Sequence, residues 1–200
     1  MPIQNERRLD RRPAVARLIA DRRDMLIVAG LGSAIWDVEA AGENPLNFYL
    51  LGAMGSVLPT AMGLAIAQPS RRVLALTGDA ELLMGLGALP TLGVRRPSNL
   101  AVVVLDNERF GETGGQVSHT AEGVDLAGYA EASGIPVVLR VDDEAGLDDL
   151  RDRLHRDQGP LFARVKVNPD MPPVVMPIRD GFTGMRRFRE ALLGHDALKR

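Results

Sequence analysis

The sequence predicts an α/β fold built on a mainly parallel sheet. Three observations carry that prediction. Short runs of branched apolar residues, such as Val102-Val103-Val104, lack polar alternation, as strands buried on both faces do. These runs alternate with stretches of helical period, the order found around parallel sheets. Three of the runs end in small or polar groups, and ligands gather beyond the carboxyl ends of such strands.

In chain order, residues 13–22 read as a helix and 25–29 as the first strand. Residues 56–67 read as a helix, with Ser56 as N-cap and Pro59 tolerated in the first turn. The second strand is expected at 73–77 and a helix at 81–92, which Pro90 kinks or ends. A strand at 100–105, a helix at 125–132 and a strand at 137–141 follow. A helix at 143–155, a strand at 161–167 and a helix at 183–193 complete the order. Two stretches break the alternation. Residues 106–123 hold four glycines and many polar residues, the composition of a long functional loop. Residues 168–181 hold four prolines and read as an extended surface segment. Residues 1–200 are expected to form one domain with its core in 13–167.

Composition narrows the function. Hydrophobic residues make up 46% of the 200, enough for a real core, but aromatics only 4%, so Leu, Val, Ile, Ala and Met must fill it. The net charge of −2 gives no reason to expect a nucleic-acid or membrane surface. Arg7, Arg8, Arg11 and Arg12 are diluted by Glu6 and Asp10 and read as a solvated helix face. The absence of cysteine excludes disulfides, thiolate metal sites and Cys nucleophiles. The N-terminus lacks the charged-then-apolar pattern of a secretion signal, and no apolar run reaches membrane-spanning length. A soluble cytoplasmic protein is the expectation.

The strand ends carry the chemistry. Gly30-Leu31-Gly32-Ser33 follows the first strand, Gly78-Asp79-Ala80 the second and Asp106-Asn107-Glu108-Arg109 the third. At the second, Gly78 allows a sharp turn, and the following helix points free N–H groups outward, which suits a phosphate. Asp79 stands in the same place and would repel a phosphate unless a cation lay between them. Mg²⁺ resolves this, being a hard ion that takes oxygen ligands and bridges to phosphates. Asn107 can offer it a further oxygen. Taken singly, these features have plainer readings. Gly78–Ala80 can be an ordinary strand–turn–helix connection and Met54 a core methionine. Gly30–Gly32 can open a dinucleotide fingerprint, although Ile35 stands where its third glycine would be.

Together, the motifs resemble those of thiamine diphosphate-dependent enzymes. Gly78-Asp79-Ala80 is similar to the family's Gly-Asp-Gly, and Asn107 follows Asp79 by 28 positions. Gly52-Ala53-Met54-Gly55 lies where the family places a loop under the pyrimidine ring. Residues 51–67 and 100–116 look like the β subunits of sulfopyruvate decarboxylase and the C-terminal half of phosphonopyruvate decarboxylase. The resemblance covers residues 13–167. It implies a three-layer α/β/α sandwich of about six strands, with thiamine diphosphate and Mg²⁺ as cofactors. It gives Asp79, the Asn107 side chain and the Arg109 backbone carbonyl to the metal. Gly78, the amides of Ala80 and Glu81, and the Gly32-Ser33 loop go to the diphosphate. The Gly52 carbonyl would accept from the pyrimidine amine, and Met54 would wedge the two rings into a bent cofactor. Phe110 and Gly111 complete the cofactor contacts. Residues 108–120 would lie over the reacting carbon, with Thr113 and Gln116 as candidate substrate contacts and Glu112 and His119 as candidate catalytic residues. His119 is either a proton donor or a solvent-exposed loop residue, and His155 and His195 read as surface residues.

Departures from the family pattern carry their own expectations. Ala80 replaces a glycine, so its φ should stay negative. Glu81 adds a carboxylate near the diphosphate and is expected to point outward. Asp106 replaces the first Asn of a common pair, which need not matter because the second is the ligand. The family's activating Glu sits on a separate pyrimidine-binding domain, for which this chain has no room. The resemblance therefore implies a β subunit of a 2-oxo acid decarboxylase, inactive until an α subunit supplies that Glu, and associating with a second copy of itself. Other readings are a non-catalytic cofactor-binding or assembly subunit, a carboligating or oxidising subunit, and a nucleotide-binding oxidoreductase through residues 30–33.

Overall fold

The computed structural model describes residues 8–156, 158–194 and 197. Eight α-helices are present among them: α1 Arg11–Ile19, α2 Ser33–Ala40, α3 Val57–Ala67, α4 Asp79–Met84, α5 Ala88–Arg95, α6 Leu126–Ala132, α7 Glu144–Arg156 and α8 Gly181–Leu193. The strands are β1 Leu26–Ala29, β2 Asn47–Tyr49, β3 Val73–Gly78, β4 Leu100–Asp106, β5 Arg109–Phe110, β6 Gln116–Val117, β7 Val137–Val141 and β8 Leu161–Lys166. Six of them form one sheet in the order β2-β1-β3-β4-β8-β7, every pair parallel. β5 and β6 pair separately as a small antiparallel hairpin.

The apolar runs of the sequence are the central strands because both of their faces are covered. Along β4, Ala101, Val103 and Leu105 pack with Val15 and Leu18 of α1, Ile35 of α2 and Leu150 of α7. The intervening Leu100, Val102 and Val104 pack with Leu58 of α3, Leu92 of α5 and Leu126 of α6. This is the three-layer sandwich. No helix among the described residues is long and apolar enough to cross a membrane.

Four local expectations need correction. Neither α2 nor β2 was expected, although Ala34, Ile35 and Val38 are buried at helical spacing on α2. The helix expected at 81–92 is two helices, broken at residues 85–87. Gly85 lies against Gly55, so near that a Cβ there would sit 2.0 Å from the Gly55 carbonyl oxygen. Pro90 lies in the first turn of α5, where its missing N–H costs nothing. Ser56 is the N-cap residue of α3, as expected, but its hydroxyl donates back to the Ala53 carbonyl and makes no cap bond to the helix. Arg11 and Arg12 are not a solvated face: both bond the buried Asp37 of α2. Arg7 lies outside the described residues, as does His195, while His155 is exposed.

Sheet order locates the crevice. From β1 the chain moves outward to β2, then returns to the other side of β1 for β3. Such a reversal opens a gap at the carboxyl ends of β1 and β3. Register aligns Ala29 with Leu76, and Gly78 with Leu105. The three strand ends singled out from the sequence therefore meet along one edge.

Candidate cofactor site

A cleft of about 230 Å³ lies at that edge. Its walls include Ser33, Met54, Gly78, Asp79, Ala80, Glu81, Asn107, Arg109, Phe110, Gly111, Glu112 and Thr113. Gly32, Gly52, Gln116 and His119 are not part of its wall. Gly32, at φ +87°, is overlaid by Glu112: a Cβ there would lie 2.6 Å from Glu112 Oε1. Partial desolvation raises the pKa of that carboxyl. His119 is exposed, its ring edge-on to Phe110 at 6.5 Å.

Asp79 is the first residue of α4 and is 1% exposed. Its Oδ2 accepts from the Ser118 hydroxyl and, at 3.0 Å, from Thr120 Oγ1. Burial is the largest influence on its pKa and raises it, against the opposing pull of the Ser118 hydrogen bond. Among the described residues no cation pairs with it. Thr120 Oγ1 also reaches Asp106 Oδ1 at 2.8 Å, and Lys166 holds Asp106 Oδ2 at 2.9 Å. Asn107 is buried, and its Oδ1 accepts from the Arg109 N–H at 3.0 Å, closing a tight turn.

Ala80 lies within α4, so its φ is helical, as expected. Glu81 does not point outward. It is buried, and its Oε2 accepts from Thr77 Oγ1 at 2.7 Å. It can turn inward because Gly30 has no side chain: a Cβ there would lie 1.7 Å from Oε2. Burial pushes the Glu81 carboxyl up to about 7.

Sequence reasoning missed Ser118, Thr120, Lys166 and Met171, which lines the cleft from the proline-rich segment. Lys166 could have been found, because it ends a parallel strand, as Gly78 and Asp106 do. Ser118 and Thr120 lie in the long polar loop, where Gln116 and His119 were singled out instead.

The arrangement fits a divalent cation whose shell is shared with a phosphate. The donors are all hard oxygens: one Asp79 carboxylate, the Asn107 carbonyl and nearby main-chain carbonyls. Among the described residues no group of three or more His, Cys, Asp or Glu could hold an ion unaided.

The family model described as thiamine pyrophosphate enzyme, C-terminal TPP binding domain, matches residues 33–165. The chain belongs to this family. Among relatives of this TPP-binding domain, the sulfopyruvate decarboxylase subunit beta of Methanothermobacter thermautotrophicus is 34% identical over 93% of the chain and 97% of the relative. The phosphonopyruvate decarboxylase of Streptomyces viridochromogenes is 34% identical over 84% of the chain, which spans 42% of that protein. The solved structure of benzoylformate decarboxylase from Polynucleobacter necessarius superposes with a TM-score of 0.70 at 18% identity, over 83% of the chain and 34% of the other. At that identity the likeness establishes the fold. The TPP-binding fold expected from the motifs is thus the fold observed.

Proposed function

We propose that this chain is the cofactor-holding β subunit of a thiamine diphosphate-dependent 2-oxo acid decarboxylase of the sulfopyruvate or phosphonopyruvate type, acting in the cytoplasm. One observation carries the reading: a buried carboxylate, Asp79, at the sheet's reversal point, bonded by hydroxyls and paired with no cation among the described residues. An unpaired buried charge is costly, and a metal ion removes the cost. Asp79, the Asn107 side-chain oxygen and the Arg109 carbonyl would hold Mg²⁺. The amides of Ala80 and Glu81, beside Gly78, and the Gly32-Ser33 loop would hold the diphosphate. Gly52 would accept from the pyrimidine amine, with Met54, Phe110 and Gly111 shaping the cleft around the rings. When bound, the cofactor supplies the carbon nucleophile and the electron sink that decarboxylation needs. This chain orients that group and excludes water, so proximity is its main contribution. Glu112, on the cleft wall, and His119, exposed on the following loop, would be the candidates to hold the 2-oxo acid or to deliver a proton.

The activating Glu would come from a separate α subunit, and two β chains would associate. The match over 97% of a relative named subunit beta supports the split, as does the match to under half of phosphonopyruvate decarboxylase. A thermal-shift assay with thiamine diphosphate, Mg²⁺ and candidate α chains tests the reading. A joint shift, with CO₂ release from the pair, is expected, and Asp79→Ala should abolish both. No shift in any combination would count decisively against it. A second reading, a cofactor-binding or assembly subunit without turnover, draws on Glu81, a buried carboxyl in the wall where the diphosphate would lie. Normal cofactor uptake with no turnover beside any partner would favour it.

A further inference from the structure

Asn107 is flanked by two acidic residues, and one lysine grips both. Lys166 ends β8, which pairs with β4 in a register that sets it opposite Asp106. Its Nζ lies 2.9 Å from Asp106 Oδ2 and 2.6 Å from Glu108 Oε1. The second oxygen of Glu108 is held by Arg8 at 2.8 Å. The turn needs holding. Glu108 has φ +60°, which a side chain with a Cβ adopts only at a cost in strain. Three further bonds define the turn. Glu108 N–H donates to Asp106 Oδ1 at 3.3 Å and Arg109 N–H to Asn107 Oδ1 at 3.0 Å. The Glu108 carbonyl accepts from the Ser118 N–H at 2.9 Å.

Lys166 also acts on Asp79 through Asp106. The Thr120 hydroxyl touches both carboxylates, but it has one proton and can donate to only one of them at a time. Two buried carboxylates joined by one hydroxyl repel each other, and the ammonium on Asp106 offsets that repulsion. A neutral Asn at position 106 would not attract Lys166. The acid in place of the family's amide therefore has a purpose: it gives the neighbouring strand a handle on the metal turn. Lys166 is outside the cleft, on the wall of a separate hollow with Arg8, Arg140 and Arg164.

We infer that Lys166 is a positioning residue for the cation site, bracketing Asn107 so that its side-chain oxygen and the Arg109 carbonyl stay level with Asp79. The inference rests on the proposed function for the identity of the ion. Two measurements on the full chain test it, with Lys166→Met and Lys166→Arg beside the wild type. The first is amide hydrogen exchange without metal. Lys166→Met should speed exchange of the Glu108, Arg109 and Ser118 amides about tenfold while the β4 interior stays protected, and Lys166→Arg should restore protection. The second is a Mn²⁺ titration, followed by the paramagnetic resonance of the free ion, with thiamine diphosphate and the partner chain present. Lys166→Met should weaken Mn²⁺ about tenfold, as loss of a residue that orients a metal ligand does, with full occupancy recovered at high Mn²⁺. Unchanged exchange together with unchanged Mn²⁺ affinity overturns the inference. If Lys166→Met fails to fold, the pair Lys166→Met with Asp106→Asn removes the stranded carboxylate. Wild-type Mn²⁺ affinity in that pair overturns the inference, and weakened affinity supports it. A wild type that takes up no Mn²⁺ in any combination sinks the functional reading, and the role at a cation site falls with it, whatever the exchange shows.

Discussion

Asp37 and Asp79 are both buried, at 0% and 1% exposure, and each sits on a helix that follows a central strand. Their surroundings are opposite. Asp37 receives two guanidinium groups, Arg11 on one oxygen and Arg12 on the other. The same arginines hold the main-chain carbonyls of Asp170 and Pro173, so this cluster staples the proline-rich segment to the start of the chain. Asp79 receives hydroxyls and no cation among the described residues. Both carboxylates had to be desolvated by folding, but among the described residues only Asp37 has a countercharge. The difference separates a buried charge already countered by arginines from the one that the proposed Mg²⁺ would meet.

The largest expected effect tests that difference directly. Asp37→Asn leaves the buried Arg11 without an anion and should destabilise the chain by about 3–5 kcal/mol in denaturant titration. Asp79→Asn removes a charge with no countercharge among the described residues, and without metal it should leave stability unchanged or raised by roughly 1 kcal/mol. It should nevertheless abolish Mg²⁺-dependent uptake of the cofactor. Equal losses from the two substitutions would erase the distinction.

Glu81 extends the comparison to a third buried carboxyl, paired with no cation among the described residues, whose burial favours the protonated form. Its folded pKa of about 7 stands above the unfolded value of 4.5, so the folded chain binds more protons between them. Stability should therefore fall as pH rises from 4.5 through 7. Glu81→Gln should remove that slope and exceed the wild type by on the order of 2–3 kcal/mol at pH 8, with little difference near pH 4.5. A wild-type profile flat across this window would show that Glu81 is ionised at no cost.

How much of this was legible in the sequence follows from the range of each interaction. The central strands were legible because burial on both faces leaves a continuous apolar run. Asp79 and Asn107 were legible because strand ends are local features and the topology rule says where they go. β2 was not, because the three residues of Asn47–Tyr49 are too few to show a period. The inward turn of Glu81 depends on the missing Cβ of Gly30, and the partners of Asp79, Ser118 and Thr120, both come from the long polar loop, far from it in sequence. Arg11 resembles a surface residue in the sequence because its partner, Asp37, lies 26 positions away on α2.

Gly85 tests whether the break between α4 and α5 serves the site. Gly85→Ala would drive a Cβ into the Gly55 carbonyl, and backbone cannot swing aside as a side chain can. A loss of about 1–3 kcal/mol is expected, as for other overpacked sites. The displaced strip includes Met54, so the apparent affinity for thiamine diphosphate should fall as well. Lost stability with unchanged cofactor affinity would detach this contact from the cleft.

Arg140 supplies the smallest effect and the sharpest control. By hydrogen-bond geometry it rivals the Asp37 cluster, with bonds of 2.6 and 3.1 Å to Glu131 and 2.8 Å to Asp125. All three side chains are at least one-third exposed, however, so water competes for each charge before and after folding. Asp125 keeps its N-cap bond to the Ala127 N–H at 3.0 Å without Arg140, so α6 retains its start. Arg140→Ala should leave the denaturation midpoint indistinguishable from the wild type, and raising the salt concentration should change neither protein's midpoint relative to the other. If it instead approached the loss from Asp37→Asn, burial would no longer explain why Asp37 is structural, and the contrast with Asp79 would lose its physical basis.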